Sequence, residues 1–222
     1  MSEIKLIEVK QSIFAENDQA ADELRKYLKE AKTFMVNLMS SPGAGKTTTL
    51  VRTIEMLKDE MKIGVMEADI DAMVDAERIA ATGAKSIQLH TGGMCHLDAD
   101  MTRQGLDEFG IAGLDLVVLE NVGNLVCPAE FDTGACRNVM ILSVPEGDDK
   151  PLKYPLMFQV SDLVLINKID AKCVFDFDDD TAVRRIRERN PKAEVLFISA
   201  KTGEGFDKWC DWIRKNVKEW QA

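Results

Sequence analysis

The stretch that decides the fold covers residues 34–50 and reads FMVNLMSSPGAGKTTTL. It begins with a short apolar run typical of a buried strand, passes through a glycine-containing loop, and continues with apolar residues at helical spacing. A glycine loop between a strand and a helix, followed by a lysine and a hydroxyl residue, is the context that a phosphate-binding loop requires. Its backbone N–H groups and the helix N-terminus attract anionic phosphates. The sequence therefore predicts a phosphate-binding site here.

The predicted phosphate-binding residues are Gly43, Ala44, Gly45, Lys46, Thr47 and Thr48. Lys46 is expected to reach the β- and γ-phosphates, and Thr47 to place its hydroxyl on Mg²⁺. The usual pattern has a glycine six residues before the lysine, where this chain has Ser40. Gly43 and Gly45 are expected to keep the shape of the loop. The alternative is a glycine-rich turn with a solvated lysine, which the flanking periodicity disfavours.

Strand-like apolar runs alternate with helical spacing along the rest of the chain. Strands are predicted at 62–67, 86–89, 114–119, 138–144, 162–166 and 194–199, and helices at 22–32 (capped by Asn17 or Asp18), 97–109 and 206–220. This alternation predicts an α/β P-loop NTPase fold with a mostly parallel β-sheet flanked by helices. No composition shift marks a boundary, so we expect one P-loop domain over 1–222, with 1–33 as an N-terminal helical extension.

Composition limits the classes of protein that fit. The 222 residues are 45% apolar, enough to form a core, but no run approaches the roughly 18 apolar residues of a membrane span. The N-terminal residues lack the apolar core of a signal peptide, so we expect a cytoplasmic protein without a membrane span. The net charge of −10 argues against nucleic acid as a partner, since its phosphate backbone needs a basic surface. Five cysteines, an odd number, favour thiols or metal ligands over disulfides.

A base-recognition motif, Asn-Lys-Ile-Asp, follows the strand predicted at 162–166. The carboxylate of Asp170 can accept hydrogen bonds from N1–H and N2–H₂ of guanine, a donor pair that adenine lacks. Lys168 can lay its methylene stem along the purine, and Asn167 can tie this loop to the phosphate loop. After the last strand, a backbone N–H of Ser199, Ala200 or Lys201 is expected to meet guanine O6. Together these motifs predict GTP as the bound nucleotide, although the Asn-Lys-x-Asp string alone could be a surface turn.

Acidic residues after two other predicted strands are candidates for Mg²⁺, which prefers hard oxygen ligands. We predict Thr47, Asp69 and Glu120 as ligands, with Asp71 and Asp75 as competitors to Asp69. Each carboxylate could instead cap a helix or be solvated. The predicted catalytic residues are Lys46, Asp69 and Glu120. No residue stands out as a base for water, so slow intrinsic turnover is expected.

A second metal site is predicted from Cys95, His96 and Cys127, which lie in loops after the third and fourth strands. Thiolate and imidazole ligands suit Zn²⁺ or Ni²⁺. From spacing alone, two buried thiols and a helix-capping histidine remain an equal alternative. His90 is interpreted as a hydrogen-bonded core histidine. The remaining thiols, interpreted as core or surface residues, are Cys136, Cys173 and Cys210.

The combined motifs resemble the hydrogenase maturation GTPases of the HypB family. The resemblance rests on SSPGAGKTT (40–48), DAERI (75–79), TGGMCHLDA (91–99), ENVGNLVCPAEFD (120–132), EGDDKP (146–151), INKID (166–170) and SAKTGEGFD (199–207). It implies a SIMIBI-class GTPase, a homodimer promoted by GTP, and metal bound near the dimer interface by Cys95, His96 and Cys127. It also implies nickel delivery to the large-subunit precursor of a [NiFe]-hydrogenase, alongside other nickel-maturation proteins. With only two histidines in the chain, nickel storage is not expected.

Three alternative functions remain at this point. One is a urease-type nickel accessory GTPase, although the metal site of that group has a Cys-Pro-His pattern, whereas this chain has the pair Cys95-His96. Another is a non-catalytic metal carrier in which GTP only sets the oligomeric state. The last is a metal-free P-loop chaperone or kinase.

Overall fold

The computed structural model describes residues 9–68 and 73–222, with side chains described for 14–68 and 77–222. Its strands are β1 (Phe34–Ser40), β2 (Ile63–Glu67), β3 (Lys85–Gln88), β4 (Leu116–Glu120), β5 (Arg137–Ser143), β6 (Leu163–Asn167) and β7 (Glu194–Phe197). They form one sheet in the order β3-β2-β4-β1-β5-β6-β7, and every pair is parallel. The predicted α/β fold with a parallel sheet is therefore confirmed.

Helices lie between the strands. They are α1 (Val9–Glu30), α2 (Lys46–Leu57), α3 (Met73–Ala80), α4 (Ala99–Phe109), α5 (Cys127–Glu130), α6 (Lys150–Lys153), α7 (Pro155–Gln159), α8 (Asp179–Arg189) and α9 (Phe206–Gln221). Helices α3, α5, α6, α7 and α8 lie outside the segments where a helix was predicted. Helix α8 buries only Ala182 and Ile186, so its apolar periodicity is weak. Within the described ranges, no helix is both long and apolar enough to cross a membrane.

The central strands explain why the functional loops meet. Strand β1 lies between β4 and β5, and all seven of its residues are buried, as are all five of β4. Apolar clusters cover both faces of the sheet, which is usual for parallel strands. Strands β2, β3 and β4 lie on one side of β1 in the sheet, and β5, β6 and β7 lie on the other. At such a reversal of strand order, the carboxyl ends of the neighbouring strands β1 and β4 border the crevice where ligands bind.

The predicted start of the first helix is wrong. Helix α1 begins at Val9, so Asn17 is an interior residue and not a cap. Its side-chain amide donates to the carbonyl oxygen of Asp132 and accepts from the backbone N–H of Ala99, each at 3.0 Å. These distant partners satisfy a polar side chain inside the helix, which local sequence cannot indicate.

A chain of amide side chains, two of them buried and that of Asn138 half-buried, crosses the centre of the sheet. Asn121 Nδ2 donates to Asn37 Oδ1 at 2.9 Å, and Asn37 Nδ2 donates to Asn138 Oδ1 at 3.0 Å. Leaving one such buried group without its partner costs about 1–3 kcal/mol. The chain of amides therefore fixes the start of the loop after β4 relative to β1 and β5.

Candidate nucleotide and metal sites

The phosphate loop has the backbone conformation that its glycines permit. Gly43 and Gly45 have φ angles of 74° and 100°, in the left-handed region that favours glycine. A Cβ atom at Gly45 would lie 2.6 Å from Asn167 Nδ2. Glycine is therefore required at position 45 by both conformation and space, directly before α2.

Ser40 is accommodated at the position where the usual pattern has glycine. The side chain is fully buried, and its Oγ donates to the carbonyl oxygen of Ser41 at 2.7 Å. The same oxygen accepts a hydrogen bond from Lys46 Nζ at 3.3 Å. Ser40 thus contacts the lysine ammonium at the base of the phosphate loop.

Asn167 and Lys168 join the base-recognition loop to the phosphate loop. Asn167 Nδ2 donates to the carbonyl oxygen of Ala44 at 2.9 Å, and its Oδ1 accepts from the Ala200 N–H at 3.0 Å. Lys168 Nζ donates to the carbonyl oxygen of Gly43 at 2.6 Å. The predicted contact between Asn167 and the phosphate loop is therefore present, and three loops that are distant in sequence form one surface.

Asp170 is held in place by a serine hydroxyl. Ser199 Oγ donates to Asp170 Oδ1 at 2.6 Å, while Asp170 itself is exposed. The backbone N–H of Ser199 donates to the carbonyl oxygen of Glu204, and that of Ala200 is used by Asn167. Of the three amides predicted for guanine O6, the Lys201 N–H is therefore the best candidate. The side-chain role of Ser199 was not predicted.

Thr47 and Glu120 form the corner predicted for Mg²⁺. Thr47 Oγ1 donates to Glu120 Oε1 at 2.9 Å, and the two residues are 8% and 2% exposed. Two hard oxygen donors side by side at the phosphate loop fit a magnesium ion. Asp69 and Asp71 lie outside the described residues, as does the side chain of Asp75. Their assignment to Mg²⁺ stays a prediction.

A cavity of about 300 Å³ lies between these groups. Its lining residues are Gly43, Gly45, Lys46, Thr47, Thr48, Arg78, Glu120 and Lys168. Arg78, on α3, donates from Nη2 to Thr48 Oγ1 at 3.3 Å and adds a third cation to this cavity. Its place here was not predicted: the sequence singled out Arg78 only as part of the DAERI string (75–79) and gave it no role.

The two thiols of the second predicted site lie together. Cys95 Sγ and Cys127 Sγ are 2.7 Å apart, and Asn124 Nδ2 donates to Cys127 Sγ at 3.5 Å. The hydrogen bond with Cys95 raises the pKa of the Cys127 thiol. Cys95 is exposed and Cys127 half-buried, so the alternative of two buried apolar thiols is wrong.

His96 lies beside this thiol pair. Its ring stacks on Phe131 with centroids 3.8 Å apart, and its Nδ1 lies 3.9 Å from Cys95 Sγ. Tetrahedral zinc would need about 3.8 Å between sulfurs and about 3.5 Å from sulfur to nitrogen. In the part of the chain that the structure describes, no three His, Cys, Asp or Glu side chains are already arranged to hold a metal ion. The donor types fit, but the two sulfurs would have to separate by about 1 Å.

The prediction that His90 is a core histidine is wrong. The residue is exposed, just beyond β3, and lines a surface cavity of about 320 Å³ next to α4. Strand β3 lies at the edge of the sheet and is itself partly exposed, so its end does not lead into the core.

Comparison with known proteins identifies the family. The sequence pattern of the CobW/HypB/UreG nucleotide-binding domain matches residues 34–197. The hydrogenase maturation factor HypB of Azotobacter chroococcum is 45% identical over 217 residues, which cover 97% of this chain and 70% of that protein. The chain belongs to the HypB family of hydrogenase maturation factors. The resemblance seen in the sequence motifs is thereby confirmed.

Solved HypB structures share the whole architecture. The Archaeoglobus fulgidus HypB structure has a TM-score of 0.86 at 40% identity, with 91% of this chain and 99% of that chain covered. HypB from Helicobacter pylori, solved in complex with nickel, has a TM-score of 0.85 at 36% identity, with 92% and 96% covered. The signal recognition particle receptor FtsY of Elizabethkingia anophelis, at 13% identity and a TM-score of 0.56 (90% and 72% covered), shares the fold alone. The parallel-sheet architecture of this chain is therefore that of the solved HypB structures.

In this HypB-family chain, the candidate nucleotide site and the candidate metal site are connected by one short segment. Residues 120–127 begin at Glu120, which is hydrogen-bonded to Thr47, and end at Cys127, which contacts Cys95. Gly123 lies against the phosphate loop, since a Cβ there would be 3.2 Å from Pro42 Cγ and 3.4 Å from its backbone. Movement of the phosphate loop would therefore press directly on the segment that carries Cys127.

The five thiols are expected to differ sharply in reactivity. Burial raises the pKa of Cys136 to about 12 and that of Cys210 to about 11, so both remain protonated and unreactive. An alkylating reagent at pH 8 should modify the accessible Cys95, Cys127 and Cys173 in the native protein. Mass mapping should find the other two modified only after unfolding. Native labelling of Cys136 at the rate of Cys173 would contradict the buried assignment.

Proposed function

We propose that the protein is a GTP-hydrolysing metallochaperone that binds Ni²⁺ or Zn²⁺ and assists nickel insertion into [NiFe]-hydrogenase. It would act in the cytoplasm as a GTP-promoted homodimer, on the hydrogenase large-subunit precursor and with other nickel-maturation proteins. The observation that carries the proposal is the 120–127 segment, which joins a phosphate-site carboxylate to a metal-site thiol. Family membership supports the hydrogenase pathway.

The nucleotide would be held by groups from four loops. Guanine would lie against Asp170, whose orientation Ser199 maintains, and beside the stem of Lys168. The phosphates would occupy the cavity lined by Lys46 and Arg78. A carboxylate that can accept two hydrogen bonds from guanine, together with several cations at the phosphates, favours GTP over ATP and over a nucleoside.

Hydrolysis would depend on positioning and charge. Water attacks the γ-phosphorus in line with the bond to the β-phosphate oxygen, and GDP and phosphate are released. Lys46 would stabilise the charge that develops on the phosphate oxygens, and Arg78 could add to this. Thr47 and Glu120 would hold Mg²⁺, with Asp69 as the remaining predicted ligand, and the ion would neutralise phosphate charge. With no residue assigned as a base for the attacking water, slow intrinsic turnover is expected.

The metal would be held by Cys95, His96 and Cys127. Two thiolates and an imidazole are suitable donors for Ni²⁺ or Zn²⁺. The exposed position of Cys95 would allow a second copy of the chain to approach and complete the coordination. A site that assembles only in the dimer would bind and release its cargo with the nucleotide state.

The test is a measurement of linkage between the two sites. A non-hydrolysable GTP analogue with Mg²⁺ is expected to promote the dimer and to change the Ni²⁺ dissociation constant by about 5- to 150-fold relative to GDP. Binding linkage is reciprocal, so Ni²⁺ should change the affinity for the GTP analogue by the same factor. Isothermal titration and light scattering give both quantities.

Two controls make the linkage test specific. Gly123→Ala places a methyl group against Pro42 and should alter the linkage, whereas a substitution of the exposed Asp176 should not. Identical metal affinity and molar mass in both nucleotide states would contradict the switch and leave two independent sites. Linkage and dimerisation without phosphate release in single-turnover assays would instead support the non-catalytic carrier.

A further inference from the structure

Two segments carry the predicted metal ligands, and both end against helix α1. The 95–99 segment holds Cys95 and His96 and ends at the first residue of α4. The 127–132 segment begins at Cys127 and ends at Asp132. They belong to different loops, so the backbone between them does not fix the distance between the two thiols.

Asn17 joins the two segments through a single amide group. Its Nδ2 donates to the carbonyl oxygen of Asp132, and its Oδ1 accepts from the N–H of Ala99, each at 3.0 Å. Asn17 is only 9% exposed, so water competes little for these bonds. One rigid amide on a helix therefore holds the end of one metal-ligand segment against the end of the other.

The same helix anchors the second segment at further points. The Arg25 guanidinium pairs with the Asp132 carboxylate, and Arg25 Nε donates to the carbonyl oxygen of Ala135 at 3.1 Å. A Cβ at Gly134 would lie 2.7 Å from Leu24 Cδ2, so loop backbone and helix side chain are in direct contact. The turn that follows Cys127 is thus fixed to α1.

An aromatic stack extends from α1 to the imidazole. The rings of Phe14 and Phe131 have centroids 5.2 Å apart, and Phe131 stacks on His96 at 3.8 Å with an interplanar angle of 11°. Phe131 thereby orients the His96 ring while its Nδ1 lies 3.9 Å from Cys95 Sγ. Helix α1 is thus connected to the segments of the predicted ligands by the hydrogen bonds of Asn17 and by the ring contacts of Phe14 with Phe131 and of Phe131 with His96.

We infer that Asn17 is a positioning residue of the metal site, and that α1 sets the separation of Cys95 and Cys127. The inference rests on the proposed function, because that function assigns these residues as ligands. Groups behind the ligands commonly change metal affinity by about 10- to 100-fold when removed. Any shift of α1 relative to α4 would accordingly alter metal affinity without touching the nucleotide.

The first experiment needs no metal. Diamide takes two electrons and two protons from a thiol pair and leaves a disulfide, so its rate reports how closely the thiols are held. In a Cys173→Ser background, Asn17→Ala should slow formation of the Cys95–Cys127 disulfide by at least about tenfold. Asn216→Ala is the matched control and should keep the wild-type rate.

Asn216 is a suitable control because it is also a buried helical asparagine, but its amide bonds within its own helix. It is 8% exposed, lies in helix α9 and donates to the carbonyl oxygen of Trp212 in its own helix at 2.9 Å. Both alanine variants lose a buried amide, but only the change at Asn17 releases the metal-ligand segments. A general loss of stability would therefore affect both variants alike.

The second experiment measures Ni²⁺ affinity and the sulfur-to-nickel charge-transfer absorption. Asn17→Ala should weaken Ni²⁺ binding by about 10- to 100-fold and shift the band, with GDP affinity unchanged. Asn17→Asp, which keeps the acceptor for Ala99 and loses the donor to Asp132, should fall between this variant and the wild type.

The two experiments separate the inference from the function on which it rests. Wild-type disulfide rates in Asn17→Ala, or an equal decrease in Asn216→Ala, would overturn the positioning role. If Cys127→Ser leaves nickel binding unchanged, the ligand assignment fails. The metal-free disulfide rate would still decide whether Asn17 holds the two segments together.

Discussion

Replacement of Cys127 by serine is expected to weaken Ni²⁺ and Zn²⁺ binding by about 100-fold or more, because removing even a group behind a ligand costs 10- to 100-fold. A serine hydroxyl keeps its proton near neutral pH and is a poor ligand, whereas a thiolate is a strong one. Cys127 Sγ contacts Cys95 and Asn124, and Cys127 is not among the residues that line the cavity at the phosphate loop. The affinity of the monomer for GDP should therefore be unchanged.

The measurement is a competition titration of each metal against a chromophoric chelator, with nucleotide affinity determined in parallel. Cys173→Ser is the matched control, since Cys173 is also an exposed free thiol but lies in the loop after β6. Because bound thiols must lose their protons, wild-type affinity should also rise with pH. Wild-type metal affinity in Cys127→Ser, or loss of metal in Cys173→Ser, would show that the ligands are assigned wrongly.

Motifs made of consecutive residues were predictable because each follows a buried strand. The phosphate loop follows β1, Asn167 ends β6, and Glu120 ends β4. In a parallel sheet these strand ends lie on one side, so their loops meet whatever the intervening chain does. The hydrogen bonds from Asn167 to Ala44 and from Thr47 to Glu120 follow from that placement.

Contacts between distant segments were not predictable in the same way. The hydrogen-bond partners of Asn17 are 82 and 115 residues away. The neighbouring sequence does not indicate them, so Asn17 was interpreted as a helix cap. Arg78 lines the cavity at the phosphate loop, although the sequence gave a role in helix α3 only to Asp75, as a competing Mg²⁺ ligand. His90 follows β3, a strand at the edge of the sheet. The pattern of apolar residues along a strand does not show where in the sheet that strand lies, so the exposure of His90 could not be predicted.

Asp170→Asn is expected to shift base preference from guanine towards xanthine. The substitution replaces a double acceptor by one acceptor and one donor, so the N2 amino group of guanine faces another N–H. Loss of a good two-bond contact costs about 1–3 kcal/mol, or about 5- to 150-fold in GTP affinity. Xanthine has a carbonyl oxygen in place of that amino group, so the affinity for xanthosine triphosphate should rise. The ratio of the two nucleotide affinities should therefore change by more than either affinity alone.

Both nucleotides should be titrated against wild type, Asp170→Asn and the control Asp176→Asn, which removes an exposed carboxylate from the same loop. Ser199 Oγ donates to Asp170 Oδ1, and asparagine keeps that oxygen as an acceptor, so the loop should stay in place. A change in base preference alone would then result from the altered hydrogen bonds between residue 170 and the edge of the purine, and not from displacement of the loop. Unchanged GTP affinity in Asp170→Asn would rule out this contact, and recognition would have to rest on Lys168 and the Lys201 amide.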